Sequence, residues 1–99
     1  MPFERTVGLL VVDHKKYAEY RAAIAPLLEA SGGRFRHDFE VARTLKSDAD
    51  HDINRLFVMQ FPDRTSTERF FADPAYREIR ARLFEKAVKG STVIAEYPT

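Results

Sequence analysis

His37 is the residue in this chain best suited to proton chemistry. It stands in the alternating stretch Phe35–Leu45, and regular alternation puts it on one face with Phe35, Phe39, Val41, Arg43 and Leu45. An imidazole titrates near neutrality, so beside phenols in an apolar cleft it can serve as a general base. Tyr17, Tyr20 and Tyr76 are the phenols that helical spacing brings to such a cleft. The competing reading is structural: a half-buried histidine donating to a backbone carbonyl, and tyrosines packed in a core with their hydroxyls at its rim. The pattern therefore commits no catalytic residue. His37 is the candidate, and the candidate ligand-binding set is Tyr17, Tyr20, His37, Asp38 and Tyr76.

The charged residues offer weaker signals. Arg34, Arg36, Asp38, Glu40, Thr44 and Lys46 fall on the opposite face of the same stretch. Two carboxylates two positions apart point the same way, as an acid–base pair must, but so do the charges of a solvated strand. Asp48, Asp50 and Asp52 open like a calcium loop, yet that loop needs glycine at its sixth position and glutamate at its twelfth, where Ile53 and Met59 stand. Three histidines without any cysteine show no zinc spacing. No phosphate-cradling glycine loop, nucleophile elbow or dinucleotide fingerprint occurs. No metal and no cofactor is expected.

The elements that must position these residues can be read along the chain. Thr6–Val12 is a short, valine-rich apolar run and predicts a strand. Asp13 is placed to cap a helix whose apolar stripe is Tyr17, Tyr20, Ile24, Leu27 and Leu28; Pro26 lies inside it and predicts a kink, and Ser31-Gly32-Gly33 ends it. Phe35–Leu45 predicts a long strand, Ser47–Asp52 a polar connection, and Ile53–Phe61 a further strand closed by Pro62 and Asp63. Thr65 with Glu68 forms a capping box, and Asp73-Pro74 restarts a helix carrying Tyr76, Ile79, Leu83 and Val88 up to Gly90. Thr92–Tyr97 is the last strand. The order β-α-β-β-α-β predicts an α+β, ferredoxin-like domain spanning 1–99, with a four-stranded antiparallel sheet and two helices on one face. The two central strands read as apolar on both sides, so a second copy of the sheet is the simplest cover for the open face.

Several segments resemble a known family. Tyr17–Leu28, Gly32-Gly33-Arg34-Phe35, Phe61-Pro62-Asp63 and Phe70-Phe71-Ala72-Asp73-Pro74-Ala75-Tyr76 are similar to the domain-of-unknown-function family 1330, within the dimeric α/β-barrel superfamily of ferredoxin-like proteins. The resemblance implies a homodimer with two sheets face to face and implies no activity. His37-Asp38-Phe39 departs from the Ala-Arg-Gly-like stretch of comparable members, so a polar site built on that strand would differ here.

Composition bounds the remaining possibilities. The 99 residues carry 16 basic and 15 acidic side chains, interspersed, for a formal charge of +1. No long-range field favours nucleic acid or an anionic membrane. Arg55–Phe61 distantly resembles the aromatic third strand of RNA-recognition domains but lacks their glycines. The absence of cysteine, of an apolar span and of a secretory pattern after Met1 predicts a cytoplasmic location. The reading is a homodimeric protein binding a small molecule between helices and sheet near His37. Two alternatives stand beside it: a cofactor-independent monooxygenase or isomerase acting on a small aromatic or enolic compound, and a structural dimer without turnover.

Overall fold

The computed structural model describes residues 1–99. Its framework is a four-stranded antiparallel sheet in the order β2-β3-β1-β4, built from β1 (Phe3–Val11), β2 (Arg34–Glu40), β3 (Arg55–Phe61) and β4 (Val88–Pro98). Helix α1 (His14–Ala30) joins β1 to β2. Helices α2 (Arg64–Ala72), α3 (Pro74–Ile79) and α4 (Glu85–Ala87) join β3 to β4, with a π-helical turn over Arg80–Phe84 between the last two. This is the expected ferredoxin-like arrangement. The core forms where the odd-numbered residues of the central strands (Val7, Leu9, Val11, Phe57, Met59, Phe61) meet Tyr17, Tyr20, Ile24 and Leu28 of α1 and the aromatic side chains of the second helical segment.

Local chemistry sets the helix ends. Asp13 accepts from the Lys16 N–H at 2.9 Å and starts α1. The helix runs unbroken through Pro26, which faces solvent. It stops where Gly32 takes φ 77° and the Gly33 N–H donates back to the Leu28 carbonyl at 3.0 Å. The expected capping box at Thr65 is not used: Asp63 caps α2, accepting from the Ser66 N–H at 2.7 Å, because it is the first side-chain acceptor after Pro62. Asp73 caps α3 through the Ala75 N–H at 2.8 Å, with Pro74 in the first turn, as expected. The helix does not reach Gly90. Val88 already pairs with Val11, so β4 begins four residues before Thr92.

Three strand expectations need correction. β1 extends back to Phe3, and its open-face residues Glu4, Thr6 and Gly8 make that face less apolar than the run Thr6–Val12 implied. β2 ends at Glu40 and β3 starts at Arg55, so residues 41–54 form a connection anchored by side chains. Asn54 does most of this: its amide Nδ2 donates to the Val11 carbonyl and its Oδ1 accepts from the Val11 N–H, both at 2.8 Å, replacing a strand partner. Thr44 similarly exchanges hydrogen bonds with the Ile53 backbone at 3.0 and 2.8 Å.

The third correction concerns His37. β2 contains a bulge: Phe35 pairs with Met59 and His37 with Val58, leaving Arg36 as an extra residue. One extra residue inverts the alternation beyond it. Asp38 thus comes opposite Phe57 on the helix-facing side, while His37 and Phe39 move to the open face. The predicted sharing of a face by Phe35, His37 and Phe39 fails at this residue. Arg36 uses its displaced position to reach across the sheet to the buried Glu4 carboxylate at 3.0 Å.

Candidate functional site

The helices lie over β1 and β3 and leave the edge strand β4 partly uncovered on the same side. Val93, which pairs with the buried Val7, is therefore 46% exposed. Between this gap and the core lies a cavity of about 310 Å³. Its walls are Tyr17 and Tyr20 from α1, Phe35, Phe57 and Met59 from the sheet, and Phe71, Tyr76 and Phe84 from the second helical segment; Arg5, Arg77, Arg80, Ser91 and Val93 also line it. A larger depression of about 690 Å³ lies under the connection at Val41–Ala49. It is an open trough without the buried aromatic enclosure that would hold a ligand.

The buried polar feature of the aromatic-lined cavity is a pair of phenols. The Tyr20 and Tyr76 hydroxyls share a hydrogen bond at 2.9 Å, and the Tyr20 ring sits 5.0 Å from Phe84 and 5.7 Å from Tyr17. Two hydroxyls bring two protons, and their mutual bond uses one, so one O–H remains able to donate. Burial pushes the ionisation of both tyrosines up, and for Tyr20 the neighbouring Tyr76 adds to it. Both therefore stay neutral donors at physiological pH.

Tyr17 is held from the other side. Its hydroxyl accepts from Arg21 at 2.8 Å; burial raises its pKa, with Arg21 opposing the rise. Arg21 lies 3.5 Å over the Phe35 ring and also donates to Asp38 at 2.7 Å. Arg55 grips the same carboxylate with two bonds of 2.8 Å. These bonds, those from Arg55 first, hold the Asp38 carboxyl below its ordinary range. Asp38 does not line the cavity. It positions Arg21, which positions Tyr17.

Arg5 supplies the site's unmet demand. Its guanidinium lies 4.2 Å from the Phe71 ring centre and one terminal nitrogen pairs with Glu96 at 3.0 Å, while its buried Nε–H has no acceptor. An unsatisfied buried donor costs about 1–3 kcal/mol.

The structure thus brings together three of the five expected ligand residues, Tyr17, Tyr20 and Tyr76. Asp38 stands one contact away. His37 is exposed on the opposite face, stacked parallel to Phe39 at 6.1 Å, and faces none of these groups. Of the residues not anticipated, Arg5 was visible as a charge between Phe3 and Val7 in the strand's period of two. Arg80 and Phe84 were hidden because the π-helical turn breaks the helical period there. His51 holds the connection in place: its ring nitrogens lie 2.8 Å from the Asp52 carbonyl and 2.8 Å from the Thr92 hydroxyl.

The model of the family "Domain of unknown function (DUF1330)" matches residues 7–98, and the chain belongs to that family. Solved structures with the same fold include a protein of unknown function from Rhodopseudomonas palustris, 20% identical with a TM-score of 0.82 over 99% of this chain and 82% of that one. A dabb family protein with a ferredoxin-like fold from Mesorhizobium loti is 17% identical, with a TM-score of 0.69 over 99% of this chain and 96% of its own. A dimeric ferredoxin-like protein of unknown function from Jannaschia sp. is 12% identical, with a TM-score of 0.68 over the whole of both chains. At these identities the likeness is one of fold. No match is found among curated proteins. No helix is long and apolar enough to cross a membrane.

Proposed function

We propose that this member of the DUF1330 family is a homodimer that binds a small, largely apolar molecule between its helices and its sheet. The observation that carries the reading is the Tyr20–Tyr76 hydroxyl pair, 2.9 Å apart and buried in an aromatic cavity of about 310 Å³. Phenylalanine at both positions would pack as well without burying polar groups. The hydroxyls retain a free proton instead, and a few polar groups within apolar walls are what orient a small ligand.

Binding is favoured over proton abstraction by the same residues. A general base must be deprotonated near the working pH. Burial keeps Tyr17, Tyr20 and Tyr76 protonated, and His37 lies on the other face of the sheet. The homodimer is supported by the open face, where Phe39 (54% exposed) and Ile94 (52% exposed) stand uncovered beside the half-buried Leu56 and Val58. The description of the Jannaschia relative as dimeric agrees with it.

Titration calorimetry with the neutral probe 2-naphthamide tests the cavity. Saturable binding at one site per chain is expected, lost in Val93→Phe, which fills the cavity from an exposed edge position and spares the core. Equal binding by wild type and V93F would refute the assignment.

A further inference from the structure

We infer that the cavity's ligand is a carboxylate, an aromatic or branched apolar acid whose charged end is taken by Arg5, Arg80 and the free proton of the Tyr20–Tyr76 pair. This rests on the binding reading above and adds the ligand's charge. The cavity is lined by three arginines and no carboxylate. Arg77 and Arg80 form no ion pair with any acidic residue. Arg80 lies 4.5 Å from the Phe84 ring centre, so its charge is held at the aromatic wall. The one ion pair at the rim, Arg5 with Glu96, leaves the buried Arg5 Nε–H unanswered.

The Arg5 Nε–H, the Arg80 guanidinium and the spare phenol proton are donors without a protein acceptor, whereas Arg77 is exposed and donates to the Phe71 carbonyl. A carboxylate has two oxygens with about four acceptor sites and no proton of its own, which matches a guanidinium edge and a phenol together. A neutral amide offers one oxygen and brings an NH₂ that would face the same cations. The rest of the ligand would lie against Tyr20, Phe57 and Phe84, which have no charge to give it. A hydrophobic cation is disfavoured by the arginines.

The test compares 2-naphthoate with its neutral isostere 2-naphthamide by calorimetry at neutral pH and low salt, on wild type, Arg80→Leu and Arg5→Met. Wild type is expected to bind the acid about tenfold more tightly than the amide, the scale of one charge-assisted hydrogen bond. R80L is expected to reduce that preference to about twofold or less, and an undiminished preference in R80L would overturn the role given to Arg80. Thermal denaturation of each variant checks that it folds, and the wild-type comparison needs no variant. Equal affinities for acid and amide in wild type would overturn the carboxylate and leave the cavity standing. Failure of both probes to saturate would overturn the cavity reading and this inference with it.

Discussion

At the scale of single residues, the molecule has exchanged titratable chemistry for fixed protonation states. Tyr17, Tyr20 and Tyr76 all have pKa values raised above the ordinary 10.0 by burial. The folded state therefore holds these protons more tightly than the unfolded chain. Their contribution is complete below about pH 10 and is lost as pH rises through the unfolded and then the folded values. An alkaline titration followed by phenolate absorbance and circular dichroism is expected to show these three ionising only together with unfolding; smooth ionisation in a native spectrum would contradict it. Asp38 works with the opposite sign. Its pKa is lowered from 3.8 chiefly by Arg55, so its stabilisation is present above that value and fades as pH falls through the folded one. Asp38→Asn is expected to cost about 1–2 kcal/mol at neutral pH, reduced by its partial exposure, with the difference from wild type closing in acid. Urea midpoints across pH measure this.

At the scale of elements, side-chain amides and turns do work that hydrophobic periodicity does not register. Asn54 occupies the place of a strand neighbour to Val11, with two bonds of 2.8 Å. Asn54→Ala is expected to destabilise by about 1–3 kcal/mol because it strands both backbone groups, and a urea midpoint equal to wild type would contradict the role. The element order, the caps at Asp13 and Asp73, and the tyrosine stripe were legible because each depends on local spacing. The face occupied by His37 was not. It depends on one extra residue, Arg36, whose insertion answers a distant partner, Glu4, and leaves no mark on the local pattern. The π-helical turn at Arg80–Phe84 escaped for a related reason: it keeps the composition of a helix but changes which residues face inward, so Leu83 and Phe84 are both buried side by side. The site was therefore half visible, its tyrosines by period and its arginines only once the chain was folded.

At the scale of the whole molecule, the two faces of the sheet differ in what they carry. The helix side carries the cavity, and the open side carries Phe39 and Ile94, both exposed, with the half-buried Leu56 and Val58, the surface proposed to meet a second copy. Sedimentation equilibrium at micromolar concentration is expected to give twice the 11.4 kDa chain mass, and Val58→Asp to shift it toward the monomer, since a buried unpaired charge is costly. The location of a bound small molecule is decisive. The most direct measurement is the pattern of backbone amide chemical-shift changes in isotopically labelled protein titrated with 2-naphthoate. Saturating shifts clustered at Tyr17, Tyr20, Tyr76, Phe84 and Val93, with His37 and Phe39 unmoved, are expected. Shifts centred on His37 and Phe39, or none that saturate, would contradict binding in the cavity.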